Sequence, residues 1–422
     1  MFCYRDGGMH VFRKTRVWVA GAAAACFGLA ACGSSGSGTG GNSGSGGGKQ
    51  ASKSEIAIGT IGSYTNPGST IGPSRSVIEN WVSDVNAGGG LDGHKVKLVV
   101  KDDGLSPATA LTAAKDLITQ SHVVAIVSEI SLLDSVWAPY AASAGVPVIG
   151  GQPFGNPMAT NKDFFPSGTN SIARTWGELN EAKHAYGSKF GVLYCAEAPV
   201  CKTGSDIFNK LAPGLGMTIP VDDSITATAP NYTAQCQKLK TANPGAMAIG
   251  HGSPIALRVI AQCAQQGVGA KPVSTGGIAD ATFLGATGTD GLINIDLNFP
   301  YFADTTPATK AYQAFQTQHG LKNASGASGT YVWAGLQLFK KAVDTVGSGA
   351  VTSDSLKKAL YGVNGETLGG LAPPLTFKKD GTTQINCYFV DKISNGKWTL
   401  PYDLKPQCAP DSAVTGALGI LK

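Results

Sequence analysis

The alternation of hydrophobic and polar residues over residues 56–103 predicts a strand, a turn, a helix and a second strand, in that order. Residues 56–61 form a short apolar run rich in β-branched side chains, which is typical of a buried strand, and the Gly- and Pro-containing residues 62–68 cannot continue it. Apolar residues then recur at helical spacing until three consecutive glycines end the helix: Val77, Ile78, Trp81, Val82 and Val85. Residues 95–101 alternate charged and apolar side chains, as a strand does. A helix that joins two strands of one sheet makes them parallel, with a right-handed crossover.

The same rhythm repeats along the chain and predicts an α/β protein. Strand, turn and helix alternate as far as residue 149, which is typical of a doubly wound parallel sheet whose carboxyl-end loops face one crevice. A second series of strands begins at residue 189, so we expect two such lobes. The further predicted helices are 108–121, 135–144, 174–185, 204–211, 232–241, 254–267, 307–319 and 329–346. The further predicted strands are 123–127, 146–149, 189–194, 246–250, 272–275 and 293–295.

The N-terminus has the pattern of an export signal. A basic segment, residues 13–16, precedes an apolar run, residues 17–28, which is shorter than the ~20 residues that a membrane-spanning helix needs. Small residues then lead to Cys32, and this order resembles a bacterial lipoprotein cleavage box. We therefore predict a signal peptide over residues 1–31 and a lipid on Cys32. The alternatives are a failed membrane anchor or a chance Ala-rich helix, and Met9 is an alternative start.

A tether is predicted to follow the lipidated cysteine. Residues 33–48 are almost entirely Gly and Ser, with no side chain that could bury apolar surface, so they should form a flexible coil. The tether over residues 32–53 would have an end-to-end distance of roughly 25 Å. That length would lift a globular body clear of the extracytoplasmic face of the cell membrane and keep it nearby.

Length and charge limit the class of protein. A chain of 422 residues is long enough for two ordinary domains. The net charge of +5 is mild, and because four basic residues and one acidic residue precede Cys32, the remaining chain is close to neutral. We therefore expect no nucleic-acid partner.

The cysteines suggest disulfide bonds. Three of the nine precede the mature chain or carry the lipid, and six remain: Cys195, Cys201, Cys236, Cys263, Cys387 and Cys408. In an exported chain an even number of cysteines indicates disulfides, and six cysteines allow fifteen pairings. We favour the pairing that is local in sequence, which joins Cys195 to Cys201, Cys236 to Cys263 and Cys387 to Cys408. A zinc site is the competing interpretation, but no Cys-x-x-Cys or His-x-x-x-His spacing supports it.

A family resemblance is carried by three segments. Residues 84–95 have the sequence Asp-Val-Asn-Ala-Gly-Gly-Gly-Leu-Asp-Gly-His-Lys, and the next strand ends in Asp102-Asp103. These segments, with residues 141–149, resemble the solute-binding proteins of ABC importers of the leucine/isoleucine/valine type. The resemblance covers roughly residues 55–398 and implies the type I periplasmic binding fold, in which two doubly wound lobes are joined by a multi-strand hinge.

The resemblance also implies how the chain divides between the lobes and what it binds. Lobe 1 would comprise residues 54–173 and 301–348, lobe 2 residues 174–300 and 349–410, and residues 411–422 would form a C-terminal tail. The chain would cross three times between lobes. The expected partners are a small-molecule ligand, an ABC permease and its ATPase, and the membrane through the lipid on Cys32. We expect a monomer.

The ligand-binding residues are predicted from the same resemblance. They would lie on loops at the carboxyl ends of strands, with hydroxyl and amide groups holding a ligand carboxylate and an aromatic residue forming a wall. The candidates are Ser63, Tyr64, Ile71, Ser128, Ser131, Gln152, Phe154, His251, Ser253, Gly276, Gly277 and Tyr331. Each Ser or Gly could equally be an ordinary helix cap or turn residue.

No catalytic motif is present in the sequence. It has no phosphate-binding Gly-x-x-x-x-Gly-Lys-(Ser/Thr) loop, no His-Glu-x-x-His pair and no Gly-x-Ser-x-Gly elbow. We therefore predict no enzymatic activity, no cofactor and no metal. Two alternatives remain open: a surface sensor or co-receptor with the same fold, and an exported hydrolase.

Two departures from the family bear on the ligand. Its amino-acid binders carry an acid on a second-lobe loop that pairs with the ligand ammonium, and residues 274–278 contain none. A buried ammonium without a counter-charge would cost several kcal/mol, so we expect a zwitterion to bind poorly unless another acid replaces it. The nearest candidates are Glu129 and Glu197. The second departure is at residues 194–201, where a local disulfide would stiffen a loop that usually presents an aromatic wall.

Overall fold

The computed structural model describes residues 53–65, 72–153, 155–274, 279–321 and 327–421, and they form two lobes. The strands are β1 Lys53–Gly62, β2 His94–Asp102, β3 Ala125–Glu129, β4 Val148–Gly151, β5 Phe164–Phe165, β6 Lys189–Cys195, β7 Thr218–Ile225, β8 Ala246–Gly250, β9 Lys271–Ser274, β10 Ile293–Asp296, β11 Asn364–Glu366, β12 Leu375–Thr376, β13 Cys387–Ser394, β14 Lys397–Thr399, β15 Pro401–Leu404 and β16 Gln407–Cys408. The helices are α1 Ser74–Ala87, α2 Pro107–Thr119, α3 Asp134–Ser143, α4 Asn156–Thr160, α5 Ser171–Tyr186, α6 Pro199–Leu211, α7 Thr233–Ala242, α8 Ser253–Gln265, α9 Pro307–His319, α10 Ala327–Val346, α11 Ser353–Leu360 and α12 Asp411–Ala417.

The first lobe is built on a parallel five-stranded sheet in the order β2-β1-β3-β4-β5. Its main core contains the predicted apolar face of α1 (Val77, Ile78 and Trp81) and α10. Helix α10 approaches the sheet closely because Gly335 faces Gly150, and a Cβ added at Gly335 would lie 3.0 Å from the Gly150 Cα. The predicted doubly wound architecture is confirmed.

The second lobe is built on an eight-stranded sheet in the order β14-β13-β10-β9-β8-β6-β7, with β16 pairing to β13. Helices α5, α6 and α12 cover one face, and α7 and α8 cover the other. All three predicted disulfides are present in this lobe: one at the start of α6, one between α7 and α8, and one between β13 and β16. They join Cys195 to Cys201, Cys236 to Cys263 and Cys387 to Cys408.

Two segments pack differently from the sequence prediction. Leu356 and Leu360 of α11 and Phe377 after β12 lie in the first-lobe core, although residues 349–410 were assigned to lobe 2. The assignment, which the resemblance implied, was wrong there because the buried leucines of an amphipathic helix can pack against either core. Residues 411–421 are not a free tail either, since α12 and Leu421 pack into the second-lobe core.

The chain passes between the two cores three times, and the third crossing lies between Ile385 of the first-lobe core and Tyr388 of the second-lobe core, rather than near residue 348. Side chains join the crossing segments. The Thr169 hydroxyl lies 3.1 Å from the carbonyl oxygen of Leu297 and 2.5 Å from that of Cys387, and the Asn298 amide donates to the Ser167 carbonyl at 2.6 Å. The hinge is therefore one hydrogen-bonded unit.

Candidate functional site

In both sheets the chain reaches the hinge from the carboxyl end of a strand. The chain leaves the first sheet at the end of β5 and the second sheet at the end of β10, and both ends lead directly into the hinge. We call residues 60–65, 102–103, 128–134 and 151–153 the first-lobe edge, and residues 195–197, 250–253, 274, 294–296 and 391 the second-lobe edge. Ligands of open parallel sheets bind at such carboxyl ends.

Ser131, a predicted ligand residue on the first-lobe edge, is hydrogen bonded within its own lobe. Its buried hydroxyl donates to Asp103 Oδ2 at 2.6 Å and accepts from Leu133 N and Trp137 Nε1, both at 3.2 Å. Its backbone N–H donates to Glu129 Oε2 at 2.8 Å. These contacts shape the loop between β3 and α3.

Ser63 and Ser128 hold the same region together. The Ser63 Oγ accepts from Leu132 N at 3.0 Å, and the Ser63 N–H donates to the Ile130 carbonyl. Ser128 has the left-handed φ of 52°, and its hydroxyl donates to the Val332 carbonyl of α10 at 2.9 Å. Both side chains are fully buried, so the structure places them as loop and helix anchors at this edge.

Three carboxyl groups are buried beneath these loops. Glu129 is fully buried, and burial, with the nearby charges of Asp134 and Asp103, raises its pKa well above the usual value. Burial also raises the pKa of Asp134 to about 7. Glu129 was one of two acids considered as a ligand partner, but here it accepts the Ser131 N–H inside the first lobe.

Tyr64 and Gln152 also lie at the first-lobe edge. The Tyr64 ring covers Gly62, where an added Cβ would lie 2.3 Å from the ring, and its N–H donates to Asp102 Oδ1 at 3.1 Å. Burial raises the pKa of the Tyr64 phenol. Gln152 is buried, and its N–H donates to the Glu129 carbonyl at 2.8 Å.

On the second-lobe edge, His251 lies beside Glu197. The His251 Nε2 is 3.4 Å from Glu197 Oε2, and the other oxygen of Glu197 accepts from Ala227 N at 2.6 Å. Burial lowers the pKa of His251, although the Glu197 charge opposes that shift. The Cys195 to Cys201 disulfide closes the loop that carries Glu197.

Two further predicted residues approach the cleft from different elements. The Ser253 hydroxyl, at the start of α8, donates to Asp280 Oδ2 at 3.0 Å. Tyr331 of α10 is buried in the first-lobe core, and burial raises its pKa well above the usual value. The charge of Asp296, a residue of the other lobe, contributes to that shift, so the Tyr331 phenol lies within electrostatic reach of the second-lobe edge.

The sequence prediction missed a buried acidic pair on the second-lobe edge. Asp296 ends β10 and Asp391 lies on the neighbouring β13. The Asn294 Nδ2 donates to Oδ1 of Asp296 at 2.9 Å and of Asp391 at 2.8 Å. The only signal in the sequence is in β10, where the polar residues Asn294 and Asp296 alternate with isoleucines.

Several predicted features lie outside the described residues. They are Ile71, Phe154, Gly276, Gly277, the signal peptide over residues 1–31, Cys32 and nearly all of the tether. Within the described ranges, no helix combines the length and hydropathy needed to cross a membrane.

The chain is similar to known proteins over most of its length. A family model described as periplasmic binding protein matches residues 55–397. The chain belongs to the periplasmic binding protein family. As a member of this family, it is a periplasmic or extracellular solute-binding protein of the ABC-transporter type for small molecules, and not an enzyme.

Relatives and solved structures of the family agree with the fold. The Leu/Ile/Val-binding protein homolog 3 of Brucella melitensis is 24% identical over 366 residues, which cover 82% of this chain and 94% of that protein. A Thermus thermophilus branched-chain amino acid ABC transporter structure with bound valine has a TM-score of 0.72 at 15% identity, covering 84% of this chain and 97% of that chain. A Rhodopseudomonas palustris solute-binding protein in complex with benzoate has a TM-score of 0.69 at 16% identity, covering 85% and 98%.

Proposed function

We propose that this periplasmic binding protein is the lipid-anchored capture component of an ABC importer. It holds a small polar or amphipathic metabolite, such as an amino acid or an amide, between the two lobes and delivers it to a permease and its ATPase. The observation that carries this proposal is that strands of both sheets lead from their carboxyl ends into one three-segment hinge.

The hinge geometry supports capture by closure. Because Thr169 and Asn298 hydrogen bond across the crossing segments, bending is concentrated in a few residues while each lobe keeps its own core. Closure of two rigid lobes removes a ligand from water and strengthens its polar contacts.

Ligand capture is tested by a thermal-shift screen of the exported chain with amino acids, amides, short carboxylates and aromatic acids. A ligand that binds the folded state raises the Tm in proportion to the logarithm of its concentration. The same ligand should reduce the radius of gyration in small-angle X-ray scattering. Stabilisation without any change in that radius would contradict capture by closure.

The lipid anchor is tested by Cys32→Ala, with Cys26→Ala as the matched control in the same segment. We expect the wild type and Cys26→Ala to sediment with membranes and to partition into detergent, and Cys32→Ala to be released or retained unprocessed. Equal partitioning of the two variants would contradict a lipid on Cys32.

A further inference from the structure

The second-lobe edge contains an acidic pair that is almost inaccessible to solvent. Asp296 is 4% exposed and Asp391 is 1% exposed, and the Asn294 side-chain amide joins them. Because both Oδ1 atoms accept from the same Asn294 nitrogen, the two carboxyl groups lie close together. Burial raises the pKa of Asp296 to about 7, and burial together with the charge of Asp296 raises that of Asp391 well above its usual value, so the pair keeps a proton near neutral pH.

Two polar atoms at this pair lack a hydrogen-bond partner. One is Oδ1 of Asn294, which belongs to the same side-chain amide whose Nδ2 donates to both acids. This oxygen therefore lies next to the acidic pair. Ser274 Oγ is also unpartnered, and Ser274 is in register with Asn294 on neighbouring parallel strands, which directs both side chains to one face. Ser274 is 5% exposed and Asn294 is 2% exposed. Unpartnered polar atoms at this depth normally indicate a missing partner.

No cation of the described chain neutralises the pair. Among the described ion pairs, none includes Asp296 or Asp391. The same residues contain no group of three His, Cys, Asp or Glu side chains that could hold a metal ion. Two carboxyl groups, an amide oxygen and a hydroxyl are four acceptors, which suit the three N–H donors of a primary ammonium group.

The position of the pair connects it to the cleft. Asp296 is the last residue of β10, and the Leu297 carbonyl that follows it accepts from the Thr169 hydroxyl in the hinge. Ser274 is the last residue of β9, at the same edge of the sheet.

We propose that Asp296, Asp391, Asn294 and Ser274 form a subsite for the primary ammonium group of the ligand. This inference rests on the proposed solute-binding function and specifies its ligand class. The ammonium replaces the proton that the two carboxyl groups share, and this proton is released to the solvent. Two neighbouring strands thus supply the acid that residues 274–278 lack. We therefore expect a zwitterionic ligand to bind, in contrast to the prediction from the sequence.

The first test measures affinity by calorimetry for ligands that differ only in the amine. The probes are the twenty amino acids, n-butylamine, and the amine-free acids 4-methylpentanoate and 3-phenylpropanoate, which match leucine and phenylalanine. We expect an amine-bearing probe to bind, and its amine-free counterpart to bind at least about ten-fold more weakly. Asp296→Asn and Asp391→Asn should each weaken binding of the amine at least about ten-fold, and Ser274→Ala should weaken it several-fold.

The matched control is Asp206→Asn, an exposed acid of α6 in the same lobe, which should bind like the wild type. Unchanged amine affinity in Asp296→Asn and Asp391→Asn would overturn the inference. Preferential binding of amine-free acids by the wild type would also overturn it, while leaving the solute-binding function intact. If no probe of either class binds, both the inference and the proposed ligand range fail.

A second measurement needs only the wild-type protein and therefore does not depend on the variants folding. Calorimetry in buffers of different ionisation enthalpy reports the protons released on binding. We expect release of up to about one proton per amine ligand near pH 7, and none for an amine-free acid. Amine binding without proton release would contradict displacement of the shared proton.

Discussion

Both lobes bury carboxyl groups at the cleft, but they use them differently. In the first lobe Asp103, Glu129 and Asp134 accept hydrogen bonds from backbone N–H groups of the residues that follow them, and Asp103 also accepts from the Ser131 hydroxyl. In the second lobe Asp296 and Asp391 are joined through the side chain of Asn294. Buried oxygen atoms without a hydrogen-bond partner occur at both edges: Glu129 Oε1 and Asp134 Oδ2 in the first lobe, and Asn294 Oδ1 and Ser274 Oγ in the second. The lobes therefore differ in what holds their acids, because backbone N–H groups fix the first set to one loop and a single side chain joins the second.

Covalent reinforcement also distinguishes the lobes, and removing it has the largest expected effect. The disulfide between Cys236 and Cys263 joins α7 to α8 and closes a loop of 27 residues. We expect Cys236→Ser with Cys263→Ser to lower the free energy of unfolding by about 3.5 kcal/mol, because the unfolded chain gains conformational entropy. Guanidinium denaturation measures this.

The Cys195 and Cys201 double variant is the control, because its loop is much shorter, with a separation of 6 residues. The same model gives a loss of about 2.2 kcal/mol for it. An equal loss in both double variants would argue against the loop-entropy explanation of second-lobe stability.

The second prediction compares one hydroxyl from each edge. Ser131→Ala removes a group with three hydrogen bonds and leaves Asp103, Leu133 N and Trp137 Nε1 without it, so we expect a loss of about 3 kcal/mol in the free energy of unfolding. Ser274→Ala removes an unpartnered hydroxyl and should change stability by less than about 0.5 kcal/mol. Urea denaturation of both variants tests this. Equal losses in the free energy of unfolding would mean that the two hydroxyls contribute equally to stability, contrary to this comparison.

The third prediction concerns pH. Burial raises the pKa of Asp134 and Asp296 to about 7 and of Glu178 to about 8, so the folded state retains protons that the unfolded state releases above pH ~4. The free energy of unfolding should therefore fall by at least about 2 kcal/mol between pH 5 and pH 8. Asp296→Asn and Asp134→Asn should each reduce this slope, which denaturation at a series of pH values measures. Stability that rises with pH over this range would contradict the direction of these shifts.

The sequence predicted the fold well where periodicity alone decides it. The predicted limits of α9 and β8 match the structure at both ends. The same patterns did not place α11, because an amphipathic helix with two buried leucines can pack on either lobe. Which core receives a segment depends on long-range packing that local periodicity does not contain.

The site was less predictable than the fold. Asp296 and Asp391 are distant in sequence, and they meet only because β13 pairs with β10 in antiparallel register. Ser131 was predicted as a ligand residue from its position after a strand, but the same position lets its hydroxyl reach Asp103 and Trp137. A strand-end position brings a polar residue to the edge without deciding whether its partner is a ligand or the protein.

The three crossings between lobes limit how this protein can diversify. Neither lobe is a continuous stretch of chain, so a single recombination event cannot exchange one lobe for that of a relative. A functional chimaera would need junctions at all three crossings while preserving the contacts of Thr169 and Asn298. Changes of specificity should therefore arise by point substitution along the cleft, and pairs of homologues with different ligands should differ there more than in their hinges.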